Sequence, residues 1–459
     1  MTPRTTRALT ALAVAALALT ACGDDNDAAE PSGTQPPAVP DATETTEPHV
    51  TTAVTPEGWK VDTDQCVDPD RANAPIEGTI DIASSAPLSG GPAAAAFGPV
   101  VDGMKAYIEY ANDNGLVPDH ELSITVGDDQ FNPALTPGVI NAALDDGADV
   151  ITGVIGTPNN AAVRDTLNEE CVPQLLAGSG DPSFGDPVAY PWTVGAILPY
   201  DAEAKAYAED IARAIPDGAR AAVFFVNNDA GAGFKTAFED AASDLGIEVV
   251  AEQNIEAPDT APPAPQLSSI ASEAPDVIVA FPLGAQCPTF LGELANQKAA
   301  NPGWEPRIYL TSTCASSLIL AIAGESANGL YTSLPSGAVD VINPETHTLP
   351  GVAEYLSYME SKGLSDTVPT SATGWIWGEM TVEILRRAAE SPDGLTQASI
   401  INTARTLEYT PSLVREGFTY KTSGEDDPYY VEAVQVVQYD HGTKYLNPAG
   451  ELITKFESS

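Results

Sequence analysis

Residues 221–250 read AAVFFVNNDAGAGFKTAFEDAASDLGIEVV, and this stretch decides the fold. Its first six residues are continuously apolar and run out into Asn227-Asn228-Asp229, as a strand covered on both faces would. From 231 to 245 the apolar positions are Phe234, Ala237, Phe238, Ala241, Ala242 and Leu245. That is the i, i+3/i+4, i+7/i+8 stripe of a helix laid on a sheet. Gly246 stops the helix, and 247–250 returns to strand character. Strand, helix and strand in that order make a βαβ unit, whose strands run parallel.

The same alternation extends to both sides. Runs 80–83, 122–126, 150–155 and 277–281 are mostly apolar and rich in β-branched residues. Asp149-Val150-Ile151-Thr152-Gly153-Val154-Ile155 and Asp276-Val277-Ile278-Val279-Ala280-Phe281 each lead into a polar loop and then a helical period. They read as equivalent strands of two similar lobes. The expected fold is therefore α/β, two doubly wound parallel-sheet lobes. Ligands of such sheets bind outside the carboxyl ends of the strands, so two facing lobes would share one hinged cleft.

Composition bounds the function. A chain of 459 residues is too long for one core. Its 65 Asp and Glu against 20 Lys and Arg give a net charge of −45, which repels nucleic-acid phosphates. The longest apolar run, 8–21, is too short to span a bilayer and is interrupted by Thr10 and Thr20, which excludes a polytopic membrane protein. An enzyme is poorly supplied: His49, His120, His347 and His441 are the only histidines, and no G-x-S-x-G, H-E-x-x-H or G-x-x-x-x-G-K pattern occurs. Asp128-Asp129-Gln130-Phe131-Asn132 lacks the glycine and distal glutamate of a calcium loop and reads as a strand-end turn. No metal or cofactor is expected.

Arg4 and Arg7 precede the apolar run 8–18, and Leu19-Thr20-Ala21-Cys22 resembles the lipobox of bacterial lipoproteins. Residues 1–21 would be a signal peptide, Cys22 the lipidated residue, and 22–75 an acidic, proline-rich linker. Within it, 23–58 holds eight carboxylates, six prolines and neither Lys nor Arg, so it cannot bury enough surface to offset its ordering entropy. Cys66, Cys171, Cys287 and Cys314 remain, an even number in an exported chain. Three pairings are open. Cys66–Cys171 with Cys287–Cys314 is favoured, because the last two follow consecutive parallel strands whose exits lie within bridging reach.

Ala86-Pro87-Leu88-Ser89-Gly90 after the first strand, and Gly127-Asp128-Asp129 after the second, resemble the G-P-L-S-G and G-D-D elements of the leucine/isoleucine/valine-binding protein family. Residues 153–160, 172–182, 220–233 and 276–286 follow in the family's order, and the resemblance covers roughly 76–459. It implies an extracytoplasmic solute receptor of an ABC importer, with a type I periplasmic-binding fold whose lobes are joined by three hinge crossings. The crossings fall near 195–201, 332–337 and 422–430. Lobe one would be 76–198 plus 334–423, and lobe two 199–333 plus 424–459.

The resemblance also implies ligand contacts at Ser89, Phe97, Thr157, Asn159 and Gly178; Gly180 stands for the family's threonine, so only Ser179 could supply a hydroxyl there. Phe97 would pack on the solute's side chain or in the core. Thr157 would hold a carboxylate with the start of the following helix, while Asn159 suits either contact or an N-cap. Lobe two departs from the family: Ala230 stands for a tyrosine and Gln286 for the glutamate that pairs with an ammonium. Gln286 offers donor and acceptor, which suits an amide or urea-like solute. Asp229 or Asp181 could supply a counter-charge, Asp181 being also a turn residue before Pro182. Trp375 and Trp377 open a helix and serve either core or ligand. The expected partners are a small polar solute, permease subunits and the membrane through the lipid, with the receptor a monomer and nucleic acid excluded. A sensor of the same fold is the alternative, but the chain ends soon after a strand with no signalling domain in view.

Overall fold

The structure is a computed structural model and describes residues 58–454, except 90, 258 and 285. Residues 1–21, expected to be a signal peptide, and Cys22 lie outside the described residues. The chain runs in three passes. The first holds α1 (Pro69–Asn73), β1 (Thr79–Ala86), α2 (Pro92–Asn114), β2 (Glu121–Asp128), α3 (Thr136–Asp145), β3 (Val150–Thr152), α4 (Thr157–Glu169), β4 (Gln174–Ala177) and β5 (Thr193–Gly195). The second holds α5 (Tyr200–Ala214), β6 (Ala219–Asn227), α6 (Asp229–Asp244), β7 (Ile247–Glu256), α7 (Ala264–Glu273), β8 (Val277–Phe281), α8 (Gln286–Ala300), β9 (Arg307–Leu310), α9 (Ser317–Ala323) and β10 (Tyr331–Thr332). The third returns through α10 (Pro350–Ser361), α11 (Val368–Ala389), α12 (Gln397–Ala404), β11 (Glu408–Tyr409) and β12 (Tyr420–Lys421), then closes with β13 (Val434–Asp440) and β14 (Tyr445–Ile453).

Lobe one carries a parallel sheet ordered β2-β1-β3-β4-β5. Lobe two carries the order β14-β13-β10-β9-β8-β6-β7. Its core strands are parallel, but β13 and β14 form an antiparallel hairpin on its edge, a departure from the all-parallel expectation. The chain passes between the sheets after β5, after β10 and after β12, which makes the three crossings. The central strands β3, β4 and β8 are buried on both faces, and the period of two is visible in the cores. Ala222 and Phe224 of β6 lie with Ile278 and Ala280 of β8 on one side, while Val223 and Phe225 lie with Val277 and Val279 on the other.

Helix α11 crosses α2 with backbones in direct contact. A Cβ on Gly374 would fall inside the Val100 carbonyl, one on Gly103 inside the Ser371 carbonyl, and one on Gly378 would lie 2.6 Å from Cβ of Tyr107. The returning third pass is thereby clamped onto the first. Trp375 fills the seam in a cluster with Tyr107, Tyr110, Tyr355 and Tyr358.

Two segments behave differently from the expected boundaries. Residues 58–75 are folded against lobe one: Asp62 and Asp68 cap short helical turns, Val67 N–H donates to the Glu169 carbonyl, and Ile76 N–H donates to that of Leu395. The expected boundary follows composition, although the favoured Cys66–Cys171 pairing already ties this segment to lobe one; the disulfide forms, with Cα atoms 5.5 Å apart. Tyr430, Val431 and Ala433, assigned by sequence to lobe two, lie in the core of lobe one. The second disulfide joins Cys287 to Cys314, so both bridges follow the favoured pairing.

Replacing Gly374 by alanine should lower stability by about 3 kcal/mol, since the new methyl meets backbone that cannot move aside. Gly292→Ala, in the interior of α8 with open space around it, should instead stabilise by about 0.5–1 kcal/mol. Urea midpoints of the two variants test this, and a Gly374→Ala chain as stable as wild type would refute the clamp.

Candidate functional site

Loops from the carboxyl ends of β2, β3, β4, β6, β7, β8 and β9 converge on one cavity of about 650 Å³ between the lobes. Helices α2 and α11 complete the lobe-one wall with Phe97, Val100, Thr370, Thr373 and Trp377. The lobes touch over it. The Ser316 and Thr370 hydroxyls are 2.6 Å apart across the gap, and Phe97 lies against Gly284, where a Cβ would come within 3.2 Å of its Cε2.

One corner is polar. Helix α4 begins at Thr157 with no side-chain cap, so its unopposed dipole end and first-turn N–H groups favour an anion there. Gly156, at φ 105°, makes the turn into it. The Thr157 and Ser179 hydroxyls are 2.6 Å apart. Tyr200 brings its phenol to the same corner from the second pass; burial raises its pKa, and the Thr157 and Ser179 hydroxyls oppose the rise. The opposite surfaces are apolar: Phe97 stacks on Phe131 with centroids 5.4 Å apart, and Trp377 packs its Cη2 edge against Gly178.

Of the residues singled out by sequence, Phe97, Thr157, Asn159 and Gly178 line the cavity. Asn159 is fully buried and donates to Asp129 at 2.9 Å, so its amide is already engaged. Ser179 stands behind Thr157 and also accepts from the Asp181 N–H. Three expectations need correcting. Ser89 is exposed and outside the cavity walls, because its hydroxyl and N–H are drawn to Asp128. Asp229 is exposed in the first turn of α6, and it is the preceding Asn228 that reaches the wall. Gln286 is buried away from the cavity. Its Oε1 accepts from Leu283 N–H at 3.0 Å, and its Nε2 faces the carbonyls of Glu256, Ala257 and Asp259 at 2.8–3.1 Å. The amide is thus a staple between the β7 and β8 exit loops.

Sequence reasoning passed over Phe131, Tyr200, Ser312, Ser316 and Thr370. Ser312 and Ser316 follow β9 and obey the same strand-exit rule, which would have found them. No local signal marks Thr370, which reaches the site only because α11 packs on α2. Trp375 and Trp377 divide the roles weighed for them: Trp375 is core, Trp377 wall.

A family model described as periplasmic binding protein matches residues 79–444. The chain belongs to the periplasmic binding protein family. Its structure is similar to that of a branched-chain amino acid ABC transporter protein from Thermus thermophilus with bound valine, at TM-score 0.70 and 19% identity, covering 82% of this chain and 97% of that one. It is also similar to a solute-binding protein from R. palustris in complex with benzoate, at TM-score 0.67 and 16% identity over 81% of this chain and 96% of that one. A fatty acid ABC transporter substrate-binding protein from Thermomonospora curvata follows at 0.68 and 17%, over 83% and 95%. No curated protein matches the chain. The family that the strand-exit motifs suggested is upheld, and with it a receptor that captures solute outside the cytoplasm and performs no chemistry on it.

In this periplasmic binding protein the walls hold one carboxyl among the described residues, Asp340, which burial pushes above its ordinary pKa although the Leu446 and Ile342 N–H groups oppose the shift. Another buried carboxyl, Glu379, lies two residues past Trp377. It accepts from the Tyr409 hydroxyl at 2.7 Å and from the Ser412 N–H and hydroxyl, fixing the 409–412 segment to α11. Burial raises its pKa to about 7, against the pull of these donors. The folded chain therefore binds a proton that the unfolded chain releases near pH 4.5. The contribution is complete below about pH 4.5 and is lost as pH rises through 7, about 3 kcal/mol in all. Glu379→Gln should flatten stability against pH between 4.5 and 8 relative to wild type, as read from urea midpoints; parallel curves would show that Glu379 titrates normally.

Proposed function

We propose that the receptor captures a solute with an apolar body and one anionic head, and delivers it to the membrane subunits of an ABC importer. The carrying observation is the cavity's composition: Phe97, Phe131, Tyr200 and Trp377 with aliphatic neighbours, hydroxyls at one corner, and neither Lys nor Arg in its walls among the described residues. Burying roughly 200 Å² of apolar solute there contributes about 5 kcal/mol, before the cost of association. The head would take the Thr157–Ser179–Tyr200 corner at the start of α4. The valine, benzoate and fatty acid named for the similar structures share this plan of apolar body and carboxylate.

An amide or urea-like solute loses its support, since Gln286 spends both ends on backbone. An amino acid remains the second reading, because Asp340 offers an ammonium one ionic partner. Solute held by both lobes shifts the population toward the joined state, and that state would dock on the permease. The receptor would act as a monomer, tethered by lipid on Cys22 to the outer face of the membrane.

A thermal-shift screen tests the ligand reading with aryl carboxylates, branched-chain amino acids, fatty acids, amides, urea, polyamines and sugars. A binder at 100 times its Kd adds about 2.7 kcal/mol of stability. Carboxylates with apolar bodies should score and urea and sugars should not; the reverse ranking would refute the reading. Thr157→Val, equal in volume but lacking the hydroxyl, should weaken the scoring acid by about 1.5 kcal/mol. For the anchor, full-length chain expressed with its leader should sediment with membranes, and Cys22→Ser should not. Equal membrane fractions would remove the lipid from the account.

A further inference from the structure

Asp129 ends the β2 exit in complete burial, and it is not part of the cavity wall. Three donors converge on its Oδ2: the Ser85 hydroxyl at 2.8 Å, the Thr136 hydroxyl at 3.0 Å and the Asn159 amide at 2.9 Å. Its Oδ1 accepts the Phe131 N–H at 2.9 Å. A carboxylate only accepts, so it satisfies four donors at once; an amide would turn its own N–H bonds against them.

The bond to Phe131 matters because of the backbone there. Gln130 and Phe131 both sit in the left-handed region, at φ 54° and 58°, which side-chain-bearing residues rarely adopt and which costs strain unless the surroundings hold it. The hold comes from both acids of the G-D-D element, Asp128 taking the Gln130 N–H at 3.1 Å and Asp129 that of Phe131. The turn so fixed carries the Phe131 ring over Gly156, whose Cβ would lie 2.8 Å from Cε2, and onto Phe97, 24° from parallel. Phe97 in turn reaches Gly284 of lobe two. A continuous aromatic roof thus runs from the polar corner to the facing lobe.

We infer that Asp129 is a positioning residue of the binding site: it holds Phe131 as the cavity roof and thereby makes the receptor prefer solutes with a flat aromatic body over branched aliphatic ones. The inference rests on the apolar-acid reading above. A stacked ring pair offers a flat face, and aromatic contacts gain beyond the area they bury.

Two acids of similar length separate the possibilities by calorimetry, 3-phenylpropionate and 4-methylpentanoate. Wild type should bind the aryl acid about tenfold more tightly. Asp129→Asn should bring the ratio within about threefold of one, and Ser85→Ala, which removes a single donor from Asp129, should move it part-way if the first variant folds poorly. Phe131→Leu should also collapse the ratio, and adding Asp129→Asn to it should change nothing further, since a residue acting through Phe131 has nothing left to position. A merely structural Asp129 would weaken both acids alike in either background, and that result overturns the inference. So does a wild-type chain that binds the two acids equally. A wild-type chain that binds neither overturns the ligand reading instead.

Discussion

Helices α2 and α11 meet backbone to backbone because Gly103, Gly374 and Gly378 leave no side chain between them. The two helices come from opposite ends of the chain's path, separated by the whole of lobe two. Their contact decides which side chains share the lobe-one wall: Phe97 and Val100 from α2, Thr370, Thr373 and Trp377 from α11. A spacing wider by one methyl layer would carry Trp377 off Gly178 and Thr370 out of reach of Ser316. The cavity is therefore set by backbone approach in lobe one before any solute contact is considered.

Lobe two solves the same problem with hydrogen bonds. Glu203 of α5 is fully buried and collects the Tyr207 hydroxyl, the Ser312 N–H, and the hydroxyls of Thr311 and Ser333. Ser312 faces the cavity, and Ser333 lies in the crossing that returns the chain to lobe one. One side chain thus ties a wall loop to a hinge strand. Motion of the hinge and displacement of that loop are then mechanically linked, and solute that presses on the β9 exit acts on the joint itself. Gln286 does comparable work between the β7 and β8 exits, which is why its amide has nothing left for a ligand.

The parts legible in the sequence are those governed by local period. Residues 221–250 gave strand, helix and strand because the burial of each is repeated every second or every third to fourth residue, and the exit loops followed from parallel topology. The cysteine pairing was readable for the same reason, as Cys287 and Cys314 trail neighbouring strands. What escaped depends on contacts distant in sequence. Gln286 occupies the family's ligand position, yet its orientation is set by carbonyls some thirty residues earlier. Phe131 looks like any loop aromatic until the left-handed turn before it is known. Glycines at 374 and 378 resemble ordinary helix weak points, and only the partner helix explains them. Residues 58–75 read as linker because the boundary followed composition, although the favoured Cys66–Cys171 pairing places them on lobe one.

The acidity that excluded nucleic acid also shapes the interior. With 65 acidic side chains and only 20 Lys and Arg, cations are too few to pair with every carboxyl. Asp129, Glu203 and Glu379 are instead surrounded by hydroxyls and backbone N–H groups. Neutral donors stabilise a carboxyl less than a guanidinium does, so burial wins at Glu203 and Glu379 and raises their pKa. They also impose direction, since each donor must arrive from its own angle. A residue held by four donors from three or four segments fixes those segments relative to one another. In this chain the buried acids serve as joints of the scaffold, and the solute cavity is the space those joints leave open between the lobes.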